Sequence, residues 1–421
     1  MNLPGETDRL LLLGAMWALF LLALYLMLPR LLPRREISVR RALLIVGVVA
    51  LTARLIPNWI LPMGAGYDIE SYQLVGDLVR RGEEVYSSPT TANRYPYLPL
   101  QMYWMAFALW GAGAFHLSFV KIVRLAPIAA DVGIALLLVF SLWRSASPKA
   151  ALYAGLAYAF NPIPVFVSAY HGQFDALPAF AILLALYWLD KSPLTAGGWL
   201  GLGILDKSWP MLAFPSLVIG AQAPRKRLFF VGAAIAVPML GVAVYISLFG
   251  ADLAAVLSRA LGYNWGVGVW GYTYFFRLLS VLRPDAVGLF HWLVRNGRYV
   301  TLAALGLVWM VRARKDAPAD SLLTILVAFF AVTHAFSIQY LVWVVPFAIL
   351  RQQYRWLTRY TLGAFSYMFL TYSTLILAMH ITKLLPWPQA DQYIIMPSGL
   401  PAWLVMVGWM KSRFFGEQVQ A

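Results

Sequence analysis

Cysteine is absent from this chain of 421 residues. Its absence excludes a disulfide framework, a thiol nucleophile and a thiolate metal site. Charged residues are also scarce, at 12%, whereas an ordinary soluble domain has about 25%. Hydrophobic residues reach 61%, and a water-soluble fold could not bury so much apolar surface. The composition therefore predicts an integral membrane protein.

Acidic residues number only 18 against 33 basic ones, which gives a net charge of +15. The basic residues stand in short clusters between apolar runs, where cytoplasmic loops carry them, so no nucleic-acid partner is expected. No polar linker or low-complexity run divides the chain, which predicts a single membrane-embedded domain over residues 1–421. The first apolar run, residues 10–32, lacks a small-residue cleavage site and is expected to remain as an anchor.

The basic clusters also predict the topology. They lie at residues 30–41, 225–227, 312–315, 351–359 and 411–413. If these clusters face the cytoplasm, the opposite side receives residues 64–96, 250–270, 334–340 and 380–399. Most of the polar residues that could carry chemistry fall in or beside these outer segments.

The expected fold is an all-α, polytopic transmembrane helical bundle with about 11–13 membrane helices, some of them short or broken. After residues 10–32, the predicted spans are residues 42–61, 125–143, 151–168, 176–189, 228–248, 301–311, 321–334, 341–350, 360–379 and 401–410. Residues 98–110 are too short to cross easily. Because Arg144 and Lys149 mark the loop after the next span as cytoplasmic, we expect residues 98–110 not to span.

The first outer segment contains Asp68 and Glu70 and continues to Arg94 and Tyr95. Two carboxylates two residues apart can hold a metal, or can act as a base and an orienting group. The alternative is a solvated acidic surface. The position of the pair favours function, because it opens a long outer loop in a chain so poor in acids.

The second segment places His171, Gln173 and Asp175 at a helix end, where polar groups line a cavity or bond one another. The third interrupts an apolar run at Lys207, so that two half-helices are expected to meet there. A lysine at such a break, before the helix start marked by Pro210, can hold an anionic headgroup. Neutralisation by Asp206 is the alternative.

The fourth segment, residues 334–343, is an outer turn between two helices. Its Gln339 and Tyr340 could bind sugar hydroxyls, or could cap the adjoining helix.

These segments together resemble the GT-C superfamily of integral membrane glycosyltransferases. The resemblance rests on the acidic first outer loop, then H-G-Q-F-D-A-L-P at residues 171–178, D-K-S-W-P at 206–210 and S-x-Q-Y-L-V-W at 337–343. It is closest to the bacterial branch similar to polyprenol-phosphate-mannose-dependent mannosyltransferases. Two departures are Y-P-Y-L-P at residues 95–99, where many relatives have Y-P-P-L, and D-x-E at residues 68–70 in place of D-x-D.

The resemblance implies transfer of one sugar, mannose being the first candidate, from a polyprenyl-phosphate donor to a hydroxyl of a lipid, glycan or protein acceptor. It implies Asp68 as the base of an inverting reaction and Lys207, with Arg94, as the partner of the donor phosphate. It also implies an extracytoplasmic site in a bacterial plasma membrane. No cofactor is indicated, although a divalent metal at Asp68 and Glu70 stays open. A secondary transporter or lipid flippase is the alternative class, because broken helices with polar residues also mark transporters.

Overall fold

The structure, a computed structural model, describes residues 4–33, 37–61, 66–262, 266–381 and 387–415. Most of these residues are helical. Within these ranges there is no β-strand, and two extended residues, Val267 and Ala335, pair in an isolated bridge. Lipid offers a backbone no hydrogen-bonding partner, so long apolar runs satisfy their own N–H and C=O groups as helices. The predicted all-α fold is confirmed.

The α-helices of the described residues are, in chain order, α1 (Pro4–Leu31), α2 (Val39–Ile60), α3 (Gly66–Arg80), α4 (Gln101–Ala114), α5 (Phe119–Val123), α6 (Leu125–Ser145), α7 (Pro148–Phe160), α8 (Pro162–Phe166), α9 (Ala176–Trp188), α10 (Pro193–Asp206), α11 (Phe214–Gly220), α12 (Pro224–Phe249), α13 (Leu253–Gly262), α14 (Gly271–Leu282), α15 (Val287–Val311), α16 (Pro318–Val332), α17 (Val345–Leu350), α18 (Tyr354–Ile381), α19 (Trp387–Ala390) and α20 (Leu400–Phe415). Shorter turns connect several of them, including a π-helical turn at Val167–His171 and 3₁₀ turns at Trp209–Ala213 and Ile338–Val342.

Several helices are suited to crossing a membrane. Among the described residues, five helices are long and apolar enough, at Leu12–Leu31, Val39–Ile60, Phe119–Ser145, Pro224–Phe249 and Asp391–Phe415. The pair Pro148–Phe160 and Pro162–His171, bent by 42°, could supply a sixth span. Large apolar side chains such as Leu240 and Leu248 of α12 are exposed, as a lipid-facing surface requires. The chain is thus a polytopic membrane protein. The predicted number of 11–13 membrane helices counts shorter apolar helices in addition to these spans.

Some predicted boundaries were too narrow. The span predicted at residues 301–311 is only the last part of α15, which begins at Val287, and the one at 360–379 lies inside α18. Arg295 and Arg298 precede the predicted span and are exposed, and the helix continues through both of them. The segment at residues 98–110 forms α4, whose 14 residues extend about 21 Å. A hydrocarbon core is about 30 Å thick, so α4 is too short to cross it upright. That residues 98–110 do not span the membrane stays a prediction.

The described residues form two compact units. The first lies within Met1–Met27, Asn161–Ile163 and Asn264–Ala421, and the second within Leu28–Phe160 and Pro164–Tyr263. The prediction of one domain over residues 1–421 is not tested by this division and stays a prediction.

In the second unit, α10 packs against both α9 and α12. Two glycines allow the close approach to α12. A Cβ at Gly197 would lie 2.2 Å from the backbone oxygen of Phe230, and one at Gly201 would lie 2.8 Å from the Cβ of Val237. Small residues four apart bring membrane helices together in this way. The packing fixes the position of the C-terminal end of α10, where Asp206 and Lys207 lie.

The first unit has an aromatic core around Trp270. The Trp270 and Phe336 rings stack with 3.9 Å between their centroids, and the Trp270 indole N–H donates to the backbone oxygen of Phe330 over 2.8 Å. This core lies beside the 3₁₀ turn that carries Gln339 and Tyr340. The Tyr340 ring lies 5.6 Å from the Phe336 ring.

Candidate active site

The turn after α8 brings two polar side chains of the second unit to Asp68. The π-helical turn ends at His171, and Gly172 follows with φ of +87°, a left-handed conformation that glycine adopts without strain. The chain reverses there, and both His171 and Gln173 reach Asp68 in the first turn of α3.

Asp68 holds both of these contacts through one oxygen. Its Oδ2 lies 2.7 Å from His171 Nε2 and 2.7 Å from Gln173 Nε2. The Asp68 side chain is 29% exposed, whereas that of His171 is 5% exposed. Burial raises the pKa of Asp68, but the contacts with His171 and Gln173 and the charge of Lys207 outweigh burial and hold this pKa below its ordinary value. Asp68 is therefore an ionised carboxylate at a partly open position.

Lys207 lies at the predicted break between helices. It follows the last residue of α10 in an extended conformation, with φ of −145° and ψ of 151°, and the 3₁₀ turn Trp209–Ala213 comes next. Its Nζ donates to Asp175 Oδ2 over 2.6 Å and to Gln173 Oε1 over 3.0 Å. The expected helix break is confirmed.

Lys207 does not pair with Asp206, the partner that the sequence offered as an alternative. Asp175, and not the adjacent Asp206, is the carboxylate that Lys207 contacts, because successive side chains around an extended residue point in different directions. Asp206 instead accepts a hydrogen bond from Gln101 Nε2, and its Oδ2 has no hydrogen-bond partner among the described residues.

Two aromatic rings flank the ammonium group. The Nζ of Lys207 lies 4.3 Å from the centroid of the Phe174 ring and 4.9 Å from that of Tyr97. The face of an aromatic ring attracts a cation at this distance. The charge of Lys207 is thus compensated on one side by Asp175 and on others by ring faces.

Gln173 joins the two halves of the site. Its amide oxygen accepts from Lys207 and its amide nitrogen donates to Asp68, so a continuous hydrogen-bond chain runs from the cation to the carboxylate. The predicted residues Asp68, His171, Gln173, Asp175 and Lys207 form this one cluster, which we call the Asp68–Lys207 network.

Glu70 lies apart from Asp68 in this network. Residues two apart on a helix do not face each other, and Glu70 Oε2 instead pairs with Arg94 Nη1 at 3.2 Å. Arg94 also donates to Ser71 Oγ over 3.3 Å and lies over the Tyr67 ring. The described residues contain no group of three His, Asp or Glu side chains positioned to hold a metal ion. The two carboxylates therefore do not form a joint clamp in this arrangement.

Three other predicted site residues have contacts of their own. The buried Tyr95 hydroxyl donates to the backbone oxygen of Leu98 over 3.0 Å and accepts from the Met102 N–H over 3.1 Å, which supports the start of α4. Gln339 and Tyr340 belong to the first unit, where Gln339 accepts from the Ser337 hydroxyl. Roles for Tyr95, Gln339 and Tyr340 in substrate binding stay predictions.

Two fully buried arginines hold the turn that carries His171. Arg124 donates to the backbone oxygens of Leu61, over 2.9 Å, and of Tyr170. Arg54 pairs with Asp131 at 2.7 Å, and Asp131 also accepts from the Ser168 hydroxyl over 2.5 Å. A buried ion pair of this kind is strongly destabilised when one partner is removed.

The sequence-based reasoning missed Arg124 and also Tyr72, a buried residue of α3 whose ring lies 5.7 Å from that of Phe174. An isolated arginine next to the apolar run of α6 was a usable signal for Arg124, because such residues in membrane proteins are rarely without function. The signal for Tyr72 was its spacing, four residues after Asp68, which puts both on one side of a helix.

An apolar cavity of about 710 Å³ lies next to the Lys207 break. Ile204 and Met211, on the two sides of Lys207 in the chain, line it together with Leu98 and with residues of α11, α12 and α13. All of its lining residues are apolar, and its volume is within the range of about 300–1,000 Å³ typical of ligand pockets. The cavity is suited to a hydrocarbon chain.

One family model matches the chain. It is described as Glycosyltransferase family 87, and the match extends over residues 95–337, more than half of the chain. The matched range contains Tyr95 and four members of the Asp68–Lys207 network, and it begins after Asp68, Glu70 and Arg94. A search of curated proteins gives no match.

Proposed function

Because the chain belongs to glycosyltransferase family 87, we propose that it moves a single sugar from a polyprenyl-phosphate donor to an acceptor hydroxyl, with inversion at the anomeric carbon. The observation that carries this proposal is the Asp68–Lys207 network. A single amide side chain connects a partly exposed carboxylate with a buried cation. Inverting transfer from a phosphate requires these two groups, one to take a proton and the other to stabilise the leaving anion.

Asp68 is the proposed base. Both of its hydrogen bonds, from His171 and Gln173, go to Oδ2, so Oδ1 can receive the proton of the acceptor hydroxyl as that hydroxyl attacks. General-base assistance of this kind contributes about 10²–10⁴-fold. His171 and Gln173 fix the orientation of the carboxylate.

Lys207 is the proposed partner of the donor phosphate. An ammonium group has three N–H donors, and Gln173 and Asp175 use two of them. The positive charge stabilises the negative charge that develops on the phosphate as the bond to the sugar breaks. Arg94, next to Glu70 and partly exposed, is proposed as a second cation for this anion.

The apolar cavity beside Lys207 supports a lipid-linked donor. A phosphate at Lys207 would leave an attached isoprenoid chain close to Ile204 and Met211, where the lining is apolar throughout. Burial of each methylene contributes about 0.8 kcal/mol, so a chain held there would supply much of the donor affinity. This is also a reason for the reaction to take place in a membrane protein.

Mannose is the proposed donor sugar, from the resemblance of the motifs at residues 171–178 and 206–210 to polyprenol-phosphate-mannose-dependent enzymes. The proposed acceptor is a lipid, a glycan or a protein. The proposed location is the extracytoplasmic face of a bacterial plasma membrane, because the basic clusters lie on the loops that alternate with the site segments.

The test is a transfer assay with purified protein in lipid vesicles. Polyprenyl-phosphate mannose carrying a radiolabelled sugar, and the glucose and arabinose analogues, are each incubated with acceptors of the three classes. We expect one donor to give a labelled product in which the anomeric configuration is inverted. Movement of labelled donor across the vesicle membrane without any transfer would instead support the transporter or flippase alternative.

A further inference from the structure

Tyr72 is a buried residue that lies next to the Asp68–Lys207 network, but its side chain makes no hydrogen bond with the members of that network. It lies on α3 one helical turn after Asp68, on the same side of the helix. Its side chain is only 2% exposed. The Tyr72 ring lies 5.7 Å from that of Phe174, the ring that flanks the Lys207 ammonium group. The aromatic contacts thus lead directly from Tyr72 to the cation.

The hydroxyl of Tyr72 has no hydrogen-bond partner in the part of the chain that the structure describes. A buried hydroxyl without a partner is destabilising, and most buried polar groups of native proteins are bonded. Phenylalanine would fill the same space without this cost. An unpaired hydroxyl beside a proposed substrate site therefore points to a partner that arrives with the substrate.

The hydroxyl is suited to donating a hydrogen bond to an anion. Burial raises the pKa of Tyr72 well above its ordinary value, and the negative charges of Asp68 and Asp175 raise it further. The phenol is neutral at any physiological pH and keeps its O–H. The Oδ2 atoms of Asp68 and Asp175 already accept hydrogen bonds from the network.

We propose that Tyr72 donates a hydrogen bond to the phosphate of the lipid donor, beside Lys207. This inference rests on the proposed function and adds a substrate-contacting residue to it. A phosphate oxygen accepts several donors at once, and hydrogen bonds to a charged acceptor are about twice as strong as neutral ones. The leaving phosphate would then be held by a cation and a neutral donor, while Asp68 remains available to the acceptor.

The test is the Tyr72→Phe variant, with two measurements on detergent-purified protein. The first is the Kd for a short-chain polyprenyl phosphate such as farnesyl phosphate, and the second is the thermal unfolding midpoint. We expect the Kd to rise at least about tenfold, because a hydrogen bond to a charged group is lost. We expect the unfolding midpoint of the ligand-free protein to stay the same or rise, because the unpaired hydroxyl has been removed.

Tyr103→Phe is the matched control. The Tyr103 hydroxyl, on α4 of the same unit, is also buried and also lacks a hydrogen-bond partner in the described ranges. Its removal should change thermal stability in the same direction and leave the Kd for farnesyl phosphate unchanged.

The outcomes separate this inference from the proposed function. If the wild-type protein binds farnesyl phosphate and Tyr72→Phe binds it equally well, the role of Tyr72 is overturned while the donor class stands. If the wild-type protein does not bind farnesyl phosphate, the proposed donor class fails and the role of Tyr72 fails with it. A weaker Kd in both tyrosine variants would also contradict the inference, since the effect would not be specific to the network.

Discussion

Replacement of Asp68 by asparagine tests the proposed base most directly. The substitution keeps the size of the side chain. The asparagine oxygen can accept the two hydrogen bonds that His171 and Gln173 make with Oδ2, so its amide NH₂ then occupies the position of Oδ1. An amide NH₂ cannot take a proton from the acceptor hydroxyl. We expect the fold and the donor site to persist and the proton transfer to be lost.

The expected loss in turnover is about 10²–10⁴-fold, which corresponds to about 3–5 kcal/mol in the activation free energy. The folding free energy should fall by much less. Each of the two hydrogen bonds changes from a charged to a neutral acceptor, which costs roughly 1 kcal/mol at most, and the 29% exposure of Asp68 reduces this cost further.

The assay is sugar transfer at saturating donor and acceptor, with Glu70→Gln as the matched control. Glu70 is 58% exposed, and its ion-pair partner among the described residues is Arg94, an interaction worth about 0–1 kcal/mol. Glu70→Gln should therefore reduce turnover less than about fivefold. Near-normal turnover by Asp68→Asn would refute the reasoning. The base would then have to be His171, because Asp175 is fully buried and bonded to Lys207.

Three further predictions concern pH, the cation and metal ions. Because the pKa of Asp68 is held below its ordinary value, and because its deprotonated form is the base, kcat/KM should fall with pH only below about pH 4. His171→Ala should move this fall in kcat/KM to higher pH, because the contact that lowers the pKa of Asp68 is removed. An unchanged pH profile would contradict the role of His171 in lowering this pKa. Lys207→Met should weaken farnesyl phosphate binding and also lower the thermal unfolding midpoint, because it removes the positive charge that pairs with the buried Asp175 carboxylate. Adding Asp175→Asn should restore the midpoint but not the binding, and restored binding would remove Lys207 from the donor site. Incubation with EDTA should leave transfer unchanged, because Glu70 is paired with Arg94 and not with Asp68, and recovery of lost activity by Mg²⁺ or Mn²⁺ would show a metal-dependent reaction.

Much of the fold and part of the site could be predicted from the sequence. Apolar runs predict helices because the membrane leaves the backbone no other solution, and a charged pair inside such a run predicts the break at Lys207. The resemblance to the GT-C superfamily is confirmed by the family match, and so is the prediction of a glycosyltransferase.

What could not be predicted shares a physical cause, since it depends on directions of side chains that a linear sequence does not give. The spacing of Asp68 and Glu70 suggested a joint clamp, but a helix turns the two carboxylates to different sides. Lys207 was weighed against its neighbour Asp206, although its ion-pair partner, Asp175, is 32 residues away. The spacing of Tyr72, four residues after Asp68, puts both on one side of a helix, but the lack of a hydrogen-bond partner for its hydroxyl among the described residues could not be predicted from the sequence.

The bridging amide of Gln173 gives the network a fixed sense. A lysine ammonium group can only donate hydrogen bonds and an ionised carboxylate can only accept them, so the orientation of the amide between Lys207 and Asp68 is determined by its two neighbours. No side chain that is an acceptor at both ends, such as glutamate, can replace it, and neither can one that is a donor only. Each N–H along this path points away from the lysine and towards the aspartate. Because hydrogen bonds in a chain polarise one another, a change of charge beside Lys207 should change the basicity of Asp68.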